Sequence, residues 1–152
     1  MCENLLVALS NLPCYLPIQT ALQNSDYLTA SSVILVSVFS FVSHLMENHK
    51  HGMPGIGFST EVSYFLNRLD VLGCFIAIIR FGYLFYSKYG IDLRHLSKGN
   101  LLIYGLMSVL FLQISEYDKY NPKLKYLYML NHCIWHINIF LIMNKFLLEL
   151  IY

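Results

Sequence analysis

Residues 27–46 run for twenty positions without an Asp, Glu, Lys or Arg, centred on Ser-Val-Ile-Leu-Val-Ser-Val-Phe. At a rise of about 1.5 Å per residue, a helix of that length covers about 30 Å, the hydrocarbon thickness of a bilayer. The rest of the chain agrees with a membrane setting. Of its 152 residues 57% are hydrophobic and only 12% charged, against about 25% charged in soluble domains. The same balance excludes intrinsic disorder, which needs low hydrophobicity and high net charge. Ten Lys+Arg against nine Asp+Glu leave a formal charge of +1 and no basic patch, so no nucleic-acid partner is expected.

Four further spans follow from the same reasoning. Residues 4–25 are free of formal charge but hold Pro13 and Pro17, so 3–22 reads as a kinked first span; neighbours or waters can satisfy the freed backbone groups. A cleaved signal peptide is the competing reading, disfavoured by Glu3 and by the lack of a positive n-region. Beyond Met46, the stretch 47–57 with Gly52, Pro54, Gly55 and Gly57 stops any helix. The third span, 62–86, holds Arg68, Asp70 and Arg80. A short fourth covers 99–115, and a fifth 126–146, continuing toward Tyr152. The expected architecture is all-α: a polytopic transmembrane bundle of about five spans, one domain over 1–152, integral to a membrane that the sequence does not name.

Tyr83, Tyr86, Tyr89, Tyr117, Tyr120, Tyr126 and Tyr128 border the spans and suit interfacial belts. Lys50, Lys119, Lys123 and Lys125 fall on one side, and Lys88, Arg94, Lys98 and Lys145 on the other, a near tie that leaves orientation open. Cys2, Cys14, Cys74 and Cys133 show no Cys-x-x-Cys spacing and read as small packing residues.

Ionisable groups inside spans are costly and default to functional candidates. His44 lies late in span two, Asp70 early in span three, and His132 and His136 early in span five. Alternation of the spans brings all four to one membrane face. His132 and His136 are four residues apart and share a helix face, as do Ser40 and His44. Three neutral imidazoles suit zinc, and a catalytic zinc site takes three protein ligands plus a water, here with Asp70 to bind that water and take its proton. The bland alternatives are a helix–helix hydrogen bond for each histidine and an ion pair of Asp70 with Arg68 or Arg80. His49 and His51 read as solvated loop residues able to line the site entrance, and His95 falls on the opposite side. Asn131 and Asn138 are expected to bond between helices, with Asn131 as a partner to an imidazole the minor alternative. Trp135 reads as lipid-facing or packed.

Ser40-Phe-Val-Ser-His44, Asp70 in Asn-Arg-Leu-Asp, and His132-Cys-Ile-Trp-His136 resemble the three motifs of the CREST superfamily. That group includes alkaline ceramidases, progestin and adipoQ receptors and GPI-remodelling lipases. The opening Leu9-Ser-Asn-Leu-Pro-Cys-Tyr-Leu-Pro-Ile, followed by a span ending in His, is most similar to the myomaker-like branch. Members usually have seven helices. With 61 residues between Asp70 and His132, this chain reads as two helices short, an even number that keeps both motifs on one side. The resemblance implies that His44, His132 and His136 bind Zn2+, that Asp70 holds the zinc water, and that Ser40 contacts the water or the oxyanion. It implies hydrolysis of an amide or ester bond in a membrane lipid substrate. Against this stands a non-enzymatic, myomaker-like membrane-remodelling role in which the metal only clamps helices, and a bundle that packs polar groups with no metal. A homo-oligomer would close a shortened site, though no motif marks a self-association surface. No inverted repeat supports a transporter.

Overall fold

The computed structural model describes residues 2–152, apart from the side chains of Lys98 and Gly99, so the Lys98 charge counted above lies outside the described residues. Every element among them is helical. The expected first span is two helices, α1 (Cys2–Leu9) and α2 (Tyr15–Gln23), joined by a 3-10 turn, Leu12–Cys14. The two prolines explain the break. Pro13 opens the turn, and Pro17 sits in the first turn of α2, where a missing N–H costs no helical bond.

The central span, α3 (Tyr27–Met46), has the expected bounds. Asp26 starts it by accepting from the Thr29 N–H at 3.0 Å, the bond that satisfies an orphan donor of the first turn. Ala30, Val33, Val36, Ser37, Ser40 and His44 are buried along it, a stripe at three- and four-residue spacing. The next helix, α4 (Thr60–Tyr89), is longer than expected at both ends, from the Ser59 cap to Gly90 at φ +62°. A 3-10 stretch, Leu93–Asn100, precedes α5 (Leu101–Ser115). With 15 residues, α5 reaches only about 22 Å, so the expected fourth span falls short of a full crossing. A 3-10 turn at Pro122–Leu124 leads into α6 (Lys125–Phe146), which ends in a π-turn, Leu147–Ile151. Among the described residues, four runs are long and apolar enough to cross a membrane: Cys2–Gln23, Tyr27–Met46, Thr60–Tyr89 and Pro122–Ile151.

The helices form an open arc. α4 packs on α3, α5 packs on α6, and the broken α1–α2 helix bridges the two pairs by contacting α3 and α6. Gly73 permits the close approach of α4 to α3, because a Cβ there would lie 3.0 Å from Val36 Cα. One end of the arc is plugged by Ala21, Leu84, Phe85, Phe146, Leu147 and Leu150. There Arg80 forks onto both carboxylate oxygens of Asp26, at 2.8 and 2.9 Å. The other end is capped where the loop after α3 meets the α5–α6 turn. Between the pairs lies a cavity of about 550 Å³, lined by α3, α4, α5 and α6.

Two sequence expectations fail here. Tyr128 is not in an interfacial belt but fully buried, because its hydroxyl reaches a buried carboxylate described below. The four cysteines are free, and Cys2 is exposed rather than packed.

Candidate metal centre

His44 stands one turn from the C-terminus of α3, and His132 and His136 stand one turn apart on α6. All three are buried, and one ring nitrogen from each lies within 4.8 Å of the others. The rings pack edge to face or tilted, with centroids 4.5 to 4.8 Å apart. The group can hold a metal ion.

The hydrogen-bond network assigns the tautomers. His136 Nδ1 is 2.7 Å from Ser10 Oγ, whose own proton goes to the Val7 carbonyl at 2.6 Å. Ser10 then accepts from Nδ1–H, which leaves Nε2 bare; the Asn11 side-chain amide, 3.4 Å from the same Nδ1, fits this once its unpartnered oxygen is turned to the ring. His132 repeats the arrangement on Ser115: Nδ1 is 3.0 Å from Ser115 Oγ, which donates to the Leu112 carbonyl at 2.7 Å. His44 Nδ1 faces Glu47 Oε2 at 3.3 Å. It also faces the Tyr128 hydroxyl at 3.3 Å, whose proton goes to the same carboxylate. Each Nδ1 thus has an acceptor, and each Nε2 presents a lone pair. His44 Nε2 and His132 Nε2 stand 3.1 Å apart. Two lone pairs at that distance repel unless a cation sits between them. Bonds of 2.0–2.1 Å to a tetrahedral zinc put ligand nitrogens about 3.3 Å apart, close to the separation found.

Acidic groups stand beside the three imidazoles. Asp70 Oδ2 is 3.7 Å from His44 Nε2, and its Oδ1 is buried without a hydrogen-bond partner. Glu47 is fully buried. Burial pushes its carboxyl up, but the His44 hydrogen bond and the Lys50 charge overcome this and hold it below the ordinary value. Lys50 Nζ bridges Glu116 Oε1 at 2.8 Å and Glu47 Oε1 at 3.6 Å. Burial favours neutral Lys50, and the two carboxylates reverse that and raise its pKa above the ordinary value. Asp70 and Glu47 are carboxyl groups beside the three imidazoles, and Lys50 is the ammonium paired with Glu47 and the part-exposed Glu116. Acidic groups next to clustered imidazoles fit a metal cation.

Ser40 Oγ lies 3.3 Å from His136 Nε2, so all five residues singled out in the sequence are neighbours. Arg80 is bound to Asp26, so the Asp70–Arg80 pair does not form. His49 and His51 are not solvated. His49 Nδ1 is 2.7 Å from Ser63 Oγ. His51 is 1% exposed and stacks on Tyr128. Asn131 does not bond between helices; its Nδ2 donates to Leu127 O in its own helix. Trp135 lines the cavity.

Sequence reasoning missed Glu47, Tyr128, Ser10, Ser115 and Asn4. Asn4 is buried and donates to the carbonyls of His44 and Glu47 at 2.9 and 2.8 Å, satisfying the C-terminus of α3. Spacing did offer one signal: Glu47 is three residues after His44, one turn along.

No protein-family model and no solved structure matches the chain. An uncharacterised protein of Acanthamoeba polyphaga mimivirus is 48% identical to it over 151 residues, which is 99% of this chain and 99% of that one. With likeness at that level across nearly the whole of both chains, this protein belongs to the same family as that mimivirus protein.

Proposed function

We propose that the chain is a multi-pass membrane protein and a zinc-dependent hydrolase of a lipid amide or ester bond, a shortened relative of the CREST superfamily. The observation that carries this reading is the convergence of three bare Nε2 atoms beside a carboxylate with an unpartnered oxygen. Zinc held by His44, His132 and His136 would lower the pKa of a bound water to about 7 and polarise a carbonyl. The chain's own residues supply the rest. Asp70, adjacent to the ligand nitrogens, takes the proton of the attacking water as its oxygen bonds to the carbonyl carbon. Ser40 is placed to hydrogen-bond the water or the developing oxyanion. The cavity continues from the histidines past Ile139 to Met143. Eleven residues of helix at about 1.5 Å each give it a depth of about 16 Å, room for an acyl chain lying along α6.

A second reading has its own support. α3 and α6 are bridged mainly by the N-terminal helices, so a metal at the three histidines would staple them directly, without any reaction. Metal analysis of detergent-purified wild type, His132→Ala and Asp70→Asn, followed by lipid analysis of expressing cells, separates the two. A hydrolase holds about one zinc per chain, loses it in His132→Ala, and in Asp70→Asn keeps zinc while substrate accumulates. A staple keeps the wild-type lipid profile in Asp70→Asn. Metal-free wild type refutes both.

A further inference from the structure

Among the described residues lining the cavity, Lys50 is the one cation, and the fold holds it there with unusual care. The residue after it, His51, has a left-handed backbone, φ +49°, a conformation a non-glycine residue keeps only when its surroundings enforce it. Its N–H donates to Lys119 O at 2.6 Å. Both ring nitrogens face backbone carbonyls, Nδ1 that of Asn121 and Nε2 that of Ser115, each at 3.2 Å. The ring stacks on Tyr128, centroids 4.9 Å apart. The loop is thus clamped to the α5–α6 turn, and the Lys50 side chain lies inward, 8% exposed.

An ammonium has three N–H groups. Glu116 accepts one at 2.8 Å, Glu47 Oε1 stands 3.6 Å away as an ion pair, and Lys50 lines the cavity with N–H groups to spare. Asp70 and His132 line the same cavity. A fixed ammonium at the polar end of a slot of acyl-chain depth is where a carbonyl oxygen bound beside the histidines would acquire negative charge.

We infer that Lys50 is a substrate-contacting residue whose free N–H binds the carbonyl oxygen of an acyl chain seated in the cavity, and the carboxylate of the released fatty acid. This rests on the hydrolase reading. As water oxygen bonds to the carbonyl carbon, the carbonyl π electrons move to oxygen, where Lys50 stabilises them. The pair then returns as the bond to the leaving alcohol or amine breaks, and the water's proton travels by Asp70 to that leaving group.

The test is binding of myristate against myristyl alcohol, equal in chain length, to detergent-purified protein by calorimetry, with and without prior metal chelation. Wild type should prefer the carboxylate, and Lys50→Met should lower that preference at least tenfold, the effect of a charge-assisted hydrogen bond. Lys50→Arg should retain most of it. Because Lys50→Met strands two carboxylates, the double variant Lys50→Met/Glu116→Gln is decisive. Its preference should stay low. Recovery to the wild-type ratio would mean that Lys50 only neutralises Glu116, and the inference falls, as it does if wild type shows no preference. If the protein is purified without metal and still shows a Lys50-dependent preference, the hydrolase reading fails while the Lys50 contact stands; in zinc-loaded protein the preference should survive chelation. Bound zinc with an unaltered ratio in Lys50→Met overturns the contact alone.

Discussion

Three imidazoles in one cluster have a definite use only if their protons sit on the outside. That is the work of Ser10, Ser115 and Glu47, each of which touches an Nδ1. The partners differ in strength. The two serines offer neutral oxygens, whereas Glu47 offers a carboxylate that also accepts from Tyr128. Carboxylate partners of metal-bound histidines typically carry 10–100-fold of metal affinity. Glu47→Gln keeps the shape and a hydrogen-bonding oxygen but loses the charge. Zinc affinity measured by chelator competition should fall by about tenfold or more, with the helical content of the protein unchanged. Ser115→Ala should weaken it less. If Glu47→Gln binds zinc as tightly as wild type, the carboxylate serves only the loop and Lys50.

The elements were legible where a single physical rule governed them. α3 was readable to the residue, because an uncharged stretch between Asp26 and Glu47 has one way to be a helix. His44, Asp70, His132 and His136 were readable as neighbours because parity and a four-residue spacing are simple rules. The break at Pro13 was foreseen only as a kink, since sequence does not tell whether a helix bends or restarts. The partners of the histidines lie on α1, α5 and a loop, 3 to 126 residues away in sequence, and no local pattern announces such contacts. Buried His51 and Tyr128 were misjudged for the same reason.

Two predictions belong to the packing of α3. A Cβ at Gly73 meets the backbone of Val36 at 3.0 Å and the Phe39 ring at 3.3 Å. Gly73→Ala must push α4 from α3, at a cost of about 1–3 kcal/mol. Asp70, one turn earlier on α4, then moves from His44. Thermal melting in detergent should show the loss, with metal binding retained. At the other end of α3, the Asp26 carboxyl is pushed up by burial but held below the ordinary aspartate value by bonds from Thr29, Tyr152 and Arg80. The folded protein therefore binds this proton less readily than the unfolded chain. The stabilisation is present above pH about 4, the unfolded value, and is lost as pH falls through the lower folded value. Asp26→Asn should lower the melting temperature at pH 7, and the gap to wild type should close on acidification below about pH 4.

The whole molecule is an arc rather than a ring, and its opening has chemical consequences. Val71, Phe75 and Ile78 on α4 and Val109 on α5 line the cavity and are at the same time 48–64% exposed on the outside. The cavity therefore opens sideways between α4 and α5, through apolar side chains. At the loop end, by contrast, Lys50, Glu47 and Glu116 form an ion-paired cap. A solute from water would meet that cap, whereas an acyl chain moving in a bilayer would meet the slot. The opening falls within the interval between Asp70 and His132; on the proposed reading, that is where a seven-helix relative would carry two more helices, and lipid would take their place. Val109→Trp places an indole in the gap. Zinc content should stay at the wild-type level, because Val109 is neither one of the three histidines nor a hydrogen-bond partner of one. Turnover of the accumulating lipid should drop at least tenfold, with Val109→Ala close to wild type. Equal turnover in Val109→Trp would show that substrate reaches the histidines past the Lys50 cap, and then the loop, rather than the gap between the helix pairs, selects what the site can bind.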